Sequence, residues 1–501
     1  MSTPPHNSWL SSASAPPRDG RTPSDRRPIL AVLAFAMLIV SLDQYVVVVA
    51  LPEIGRDLDY SAQTLQSVIS AYAVASAGFL LLGGRAADVL GRRRVFVAGL
   101  ALYTVASLSG GLASDPAVLL GARAAQGLGG ALVFPATLSL VNTTFSEGHE
   151  RNRAVAVWGG AGAAGLVIGV LLGGFLTHAL GWRAVFFVNV PLAATAIACA
   201  FTMIPADVGQ ERRRDLDVPG ALSATAAISL LVFALVEGPA LGWDSAPVLG
   251  SAAASAAALA AYAVAERLSP DPLVPPRLWT NRNLGTAVVI AFLFWATFGS
   301  ILYFLTLYLQ DVHGYDALDT GVAFLLPTAV VVSASTLAGR IVSRFGLRPT
   351  LVAALTTGAV GALLLSTAMS PGNTYAALIP GLVLVSIGDG TVFTAMFIAA
   401  GLDVQDRDQG VAAGLASTST SIGAALGLAL LVLVANAGPD DLAGEALRAD
   451  TANGLSNAVL VISAGIALTA VAALNLRPPR APSTDVPCPR RMPLSANEVV
   501  R

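Results

Sequence analysis

Apolar residues in this chain come in long unbroken runs, not in strict alternation and not in narrow helical stripes. Short clusters of Arg, Asp, Pro and Gly separate the runs. About 20 helical residues cross the hydrocarbon core of a bilayer, and a helix that is apolar on every side has no face for water. The pattern predicts fourteen membrane-spanning helices, at 28–51, 63–84, 94–113, 117–140, 153–176, 182–204, 217–237, 247–266, 285–310, 318–340, 348–369, 374–400, 410–435 and 454–475. The flanking segments, 1–27 and 476–501, are rich in Pro, Ser and Arg and are expected to be disordered tails. The first apolar run is too long for a signal-peptide core and is expected to stay uncleaved.

Composition supports this reading. The chain has 501 residues, 55% of them hydrophobic and 12% charged, about half the charged share of a soluble domain. The expected fold class is an all-α polytopic membrane protein whose main surroundings are the lipid bilayer. All 29 basic residues are arginine. Without lysine there is no Walker A loop and no Schiff-base chemistry. Cys199 and Cys488 form no disulfide framework. His6, His149, His178 and His313 are scattered singly, with no metal-ligand spacing. The expectation is no cofactor, no metal, no nucleic-acid partner and no enzymatic activity.

Arginine placement predicts orientation. With both termini in the cytoplasm, 25 arginines fall on the inner side and three, Arg56, Arg183 and Arg448, on the outer side. Such a bias fixes the inner face by the positive-inside rule. Acidic residues contribute little to that rule, so it leaves Asp88 unexplained.

The chain also repeats itself. "GRAADVLGRRRV" (84–95) has a counterpart 255 residues later, "GRIVSRFGLRPT" (339–350). Gly84, Arg85 and Gly91 correspond to Gly339, Arg340 and Gly346, with Ser343 where Asp88 stands. Each copy follows the second span of a six-span block. The predicted division is two six-helix halves, 28–204 and 285–475, with two inserted helices and their loops at 205–284. Repeated halves with a midplane site between them mark a secondary transporter.

Several motifs then resemble the major facilitator superfamily, in its fourteen-helix drug:proton antiporter branch. Gly84 to Arg94 resembles the superfamily's loop motif, G-x-x-x-D-x-x-G-R-R. "LDQYVVVVALPEIGRDL" (42–58) resembles the branch's first-helix motif, and "LLGARAAQGLGGAL" (119–132) its fourth-helix arginine motif. "GWRAVFFVNVP" (181–191), "PLVPPRLWTNRN" (272–283) and "LYFLTLYLQDVHGYDALDTG" (302–321) match further landmarks. The resemblance covers nearly the whole chain from about Pro28 to Leu474. One departure is in the fifth span, where Gly169-Val170 stands in place of the usual Gly-Pro. The resemblance implies a transporter that exchanges protons for small amphipathic molecules across the plasma membrane, and a monomer is expected. Export of one endogenous metabolite, such as a self-made antibiotic, is the alternative; a polytopic receptor or membrane enzyme is the alternative from another class.

Candidate site residues follow, each with a plainer reading beside it. Gly84, Asp88, Gly91, Arg92 and Arg93 form a gating loop by resemblance, or a topology signal only. Asp43 and Arg123 both fall about 9–12 Å below the outer surface at 1.5 Å per residue, so each is the other's expected partner. They are a proton-coupling pair or a fixed structural one. Asp389 lies near mid-membrane, where the family usually has a small or apolar residue. Charge there carries a desolvation cost, so the group favours a proton or a cationic substrate; alternatively it faces a wet cavity without a specific role. Gly165, Gly169 and Gly173, with Gly174, are read as a smooth packing ridge. "GGAGAAG" (159–165) sits inside an apolar run and is packing glycine, not a dinucleotide fingerprint. Tyr72, Gln126, Trp295, Phe298 and Gln310 are placed with Asp389 in a substrate cavity. The "STSTS" stripe (417–421) is either cavity lining or interhelical hydrogen bonding. Trp158, Trp182, Trp243 and Trp279 are read as interface anchors.

Overall fold

The structure is a computed structural model that describes residues 23–58, 62–207, 217–436 and 444–477. The tails at 1–22 and 478–501, with His6 and Cys488, and the arginines Arg212 to Arg214 lie outside the described residues. Among the described residues fourteen helices are long and apolar enough to span a membrane. In chain order they are α1 Pro23–Asp57, α2 Ala62–Leu90, α3 Arg92–Gly111, α4 Pro116–Thr144, α5 His149–Leu180, α6 Ala184–Met203, α7 Val218–Leu241, α8 Ala246–Leu268, α9 Arg282–Leu307, α10 Asp319–Phe345, α11 Leu347–Ala368, α12 Tyr375–Ala400, α13 Gln409–Ala435 and α14 Gly444–Ala473. A helix satisfies its own backbone polar groups, which lipid cannot do for it. A single turn, Pro276–Trp279, precedes α9, and a π-helical turn, Tyr308–Val312, extends it.

Every predicted span overlaps one helix, but two boundaries move. The loop motif is mostly not a loop: α2 runs through Gly84 and Asp88 to Leu90. "RAADVL" holds good helix formers and no breaker, so the chain turns only at Gly91, where φ is +104° and glycine has no Cβ to clash. α14 begins at Gly444, ten residues before the apolar run itself. α5 is one helix of 32 residues, in keeping with the missing proline.

The helices form two six-helix halves, α1–α6 and α9–α14, with α7 and α8 inserted. Within the first half α1 packs on α5, and α4 on α2 and α3; within the second α9 packs on α13, and α12 on α10 and α11. Each pairing in one half recurs eight helices later. The halves meet through α2 against α13 and through α5 against α10, which are equivalent crossings. The inserted helices pack on each other, and α7 also rests on α2 and α13. α8 is peripheral: only 17% of its apolar window is buried by protein. Its exposed Leu259, Val264 and Leu268 belong to the lipid-facing belt.

Small residues set the closest crossings. An added Cβ would lie 2.6 Å from the Leu38 carbonyl oxygen at Gly165, 2.5 Å from that of Leu42 at Gly169 and 2.9 Å from that of Val46 at Gly173. Those three glycines form the ridge on which α1 lies. Gly174 does not belong to it: a Cβ there would find only Val49, 4.0 Å away. It is one residue past the contact face, 100° round the helix. Gly159 and Gly160 of "GGAGAAG" sit in α5 against Thr394, Ser335 and Thr336, a helix crossing as expected.

Candidate functional site

The repeated motif builds the junction between the halves. At Gly84 a Cβ would collide with the backbone of Gly410 on α13; at Gly339 it would collide with Asn152 on α5. Both glycines let a second-span helix approach the start of a fifth-span helix in the other half. Gly91 and Gly346 end their helices alike, with φ of +104° and +90°.

One turn beyond Gly84, Asp88 is 1% exposed and lies on the N-terminus of α13. It accepts hydrogen bonds from the backbone N–H of Gly410 at 3.0 Å and of Val411 at 2.9 Å. Arg92 Nη2 stands 3.1 Å from the same carboxylate. These donors are otherwise unpaired at a helix start, and the helix dipole favours an anion there. Arg92 also donates to Ser139 Oγ at 2.7 Å and to the Asp406 carbonyl of the other half. In the second copy Ser343 makes a neutral version of the link, accepting from Asn152 Nδ2 at 3.1 Å in the first turn of α5. Arg93 is not part of the cross-half bonding. It donates to the Phe201 carbonyl at 2.7 Å and lies over the Phe201 ring, so it ties α3 to α6.

Further bonds close the same end: Asn142 Nδ2 to Gln409 Oε1 at 2.9 Å, and Arg151 to the Gly401 carbonyl at 3.5 Å. Behind them Trp158 and Phe134 of the first half pack with Phe393 and Phe397 of the second, the ring centres of Trp158 and Phe397 being 5.3 Å apart. Trp158 is therefore not an interface anchor. It is fully buried, with Nε1 donating to Thr137 at 3.1 Å. Trp182 is buried as well, donating to Asp57 at 2.9 Å. Trp243 and Trp279 are exposed, as anchors should be. A position near a span end does not say which face a residue takes.

Deeper in the first half lies an ion cluster. Arg123 Nη1 is 2.7 Å from Asp43 Oδ2, and both side chains are 2% exposed or less. The matched depths thus correspond to a real pair. Asp43 Oδ1 accepts from Asn189 at 2.7 Å and Gln126 at 3.3 Å. Arg123 also donates to Gln126 Oε1 at 2.9 Å and the Val68 carbonyl at 3.2 Å, and stacks 4.5 Å above the Tyr72 ring. Gln126 and Tyr72 are accordingly members of this cluster and not cavity walls. Phe298 is also displaced from that role, buried against Gly358 of α11. Gln310 is in the π-helical turn, 3.4 Å from Thr320, and Trp295 is half-buried against Phe294. In the "STSTS" stripe, Ser417 and Thr418 are buried and Ser419 donates to the Val288 carbonyl of α9 at 2.7 Å. That part joins helices.

Asp389 differs from Asp43. It is partly exposed on α12, and among the described residues no hydrogen bond or ion pair engages its carboxylate. Tyr45 of α1 lies near it, across the boundary between halves. Gln44, beside Tyr45, is exposed in the middle of α1. Asp389 stands one helical turn before Phe393 along α12.

The sequence reading missed Asn142, Gln409, Asn189 and Asp207. Asp207 accepts from the N–H groups of Arg93 and Arg94 and so caps α3. Asn189 lies inside an apolar run and Asn142 two residues past the end of one, and an amide at membrane depth carries the signal of a buried partner; nothing in the sequence names that partner.

Two pseudo-symmetric six-helix halves, joined at one end by the Asp88 and Arg92 contacts, have the architecture of a secondary membrane transporter. The chain belongs to the Major Facilitator Superfamily, whose family model matches residues 33–428, and it has the fourteen spans of the drug-efflux branch. It is 36% identical over 406 residues to the puromycin resistance protein pur8 of Streptomyces alboniger, covering 80% of each chain. It is 35% identical to the cephamycin export protein CmcT of Amycolatopsis lactamdurans, covering 84% of this chain and 88% of that one. Among solved structures, the human organic anion transporter MFSD10 matches with a TM-score of 0.68 at 17% identity, over 90% of this chain and all of that one. The proton:xylose symporter XylE matches with a TM-score of 0.65 at 13% identity, over 89% and 95%.

Proposed function

We propose that the protein exports small amphipathic molecules across the plasma membrane in exchange for protons. Its arginine-rich end faces the cytoplasm, as the positive-inside rule requires. The reading is supported by the contacts of Asp88, Arg92, Asn142 and Arg151 that join the halves at that end, taken as a closed gate with Asp389, Tyr45 and Gln44 beyond it. In this state substrate leaves outward; breaking the Asp88 contacts opens the inner side. Asp389 takes a proton or a cationic substrate, and the two exclude each other. Asp43 and Arg123 respond to protonation within the first half. Relatives named for puromycin resistance and cephamycin export support the substrate class. They also favour a second reading, a dedicated exporter of one endogenous antibiotic.

The test uses purified protein in liposomes carrying a trapped pH dye. Adding a transported compound should release protons in proportion to flux. Flux without proton movement removes the antiport reading. A panel of cationic, neutral and anionic compounds separates the two substrate readings: one accepted compound supports the dedicated exporter, and many support multidrug export.

A further inference from the structure

The segment between the inserted helices and the second half has no role in the scheme above, yet it carries some of the best-formed polar contacts at the gate. It is not a loose connection. Glu266, at the end of α8, accepts from the backbone N–H of Val274 at 2.8 Å and of Leu273 at 3.1 Å. Leu273, Val274 and Leu278 are buried in the main apolar core. Two charged side chains then reach in opposite directions. Asp271 Oδ1 lies 2.8 Å from Nη2 of Arg85, a fully buried residue of the loop motif on α2. Arg277 donates from Nε and Nη2 to the two oxygens of Asp408, both at 2.6 Å. The segment is thereby tied to the first half at one point and to the second half at another.

Asp408 is the residue immediately before α13, and its carboxylate is 1% exposed. Asp88 occupies the same helix start from the other half. A helix N-terminus is worth about half a positive charge, so it does not balance two buried carboxylates. Arg92 stands on Asp88, and Arg277 grips Asp408 with the two-pronged geometry that suits a carboxylate. Arg407 Nε is farther from Asp408, at 3.9 Å, on an exposed side chain. The hydrogen bonds to Asp408 hold the Arg277 guanidinium above its ordinary range, and the charges of Asp271 and Asp88 act in the same sense.

We propose that residues 269–281 are a strap that keeps the arginine-rich gate closed, tied to the first half through Asp271 and Arg85 and to the second through Arg277 and Asp408. This rests on the gate reading of the hairpin and is independent of what is transported. Opening the gate parts α2 from α13, and the strap cannot follow both: either Asp271 leaves Arg85 or Arg277 leaves Asp408. The inserted pair then sets the balance between the two states of the transporter.

The test reads distance, not transport. Spin labels are placed at Ser146→Cys and Arg348→Cys, both exposed at the arginine-rich end on opposite halves, in a background with Cys199→Ser and Cys488→Ser. Pulsed dipolar spectroscopy on the purified full chain in nanodiscs gives the ratio of open to closed distances. Arg277→Gln should raise that ratio roughly tenfold, the shift expected when one state loses one charge-assisted contact. Combining it with Asp408→Asn should add little further opening, because both substitutions cut the same tie. Asp271→Asn should shift the ratio in the same direction. An unchanged ratio in Arg277→Gln, or a second, additive opening in the double variant, overturns the proposal. If Arg277→Gln does not accumulate, Arg277→Lys keeps the charge and loses the two-pronged bond; partial opening supports the strap, and an unaltered ratio refutes it.

Discussion

Asp43→Asn tests whether the buried pair of the first half is a working part or a brace. The substitution keeps the shape and removes the charge. Asp43 Oδ2 takes Arg123 at 2.7 Å, while Oδ1 takes Asn189 and Gln126. An asparagine has one oxygen for these three donors, so its amide NH2 must face at least one of them. Asn189 can relieve part of this by turning its amide, since its own oxygen is buried without a partner. Gln126 is held on both sides, by Arg123 and by Ser107 at 2.8 Å. Arg123 keeps Gln126, the Val68 carbonyl and the Tyr72 ring, but no anion. Breaking a buried ion pair by removing one partner costs about 3–5 kcal/mol. The retained neutral contacts place this variant at the lower end, about 3 kcal/mol, or roughly a hundredfold in the folding equilibrium. Thermal and detergent-induced unfolding of the purified protein, followed by tryptophan fluorescence, measures that loss; liposome flux measures function. Removing both charges, with Asp43→Asn and Arg123→Gln together, should recover much of the stability, because neither ion then needs burying. Flux should not return. If the double variant transports normally, the pair is only a brace and the coupling role is wrong. If Asp43→Asn alone is as stable and active as the parent, the electrostatic reasoning itself fails.

Asp88→Asn should accumulate normally, yet lose about tenfold in transport as the anion at the α13 N-terminus disappears; full flux would reduce the hairpin to a topology signal. Asp389→Asn should weaken transport of cationic compounds more than neutral ones and flatten the pH profile of binding, because an amide cannot release a proton; equal losses with the same profile would leave Asp389 a cavity wall. Gly169→Val should sharply lower the amount of folded protein, since its Cβ would meet the Leu42 carbonyl at 2.5 Å, whereas Gly174→Ala, 4.0 Å from Val49, should be tolerated; a tolerated valine would refute the ridge. Cysteines at Gly148 and Gly372 should react with an impermeant thiol reagent from opposite sides, Gly148 from the cytoplasm; labelling of both from one side would overturn the span count.

Much of this protein is written along its length. Crossing a bilayer is a one-dimensional problem: run length, arginine bias and the 255-residue repeat are read directly, and they gave fourteen spans and two halves before any contact was known. Depth is nearly as legible, because 1.5 Å per residue turns position into height, and it paired Asp43 with Arg123 correctly. Azimuth is not legible. In a helix apolar all round, polarity does not mark the inward face, so the sequence does not tell a cavity wall from a residue packed between helices, as Tyr72, Gln126 and Phe298 are, or a headgroup anchor from a buried ring such as Trp158. Which helices touch was also closed to the sequence. Asp88 is 322 residues from the N–H of Gly410 that it binds, and Arg277 is 131 from Asp408. Those partners are selected by glycine contacts between whole helices, and only the assembled bundle brings two aspartates to one helix N-terminus.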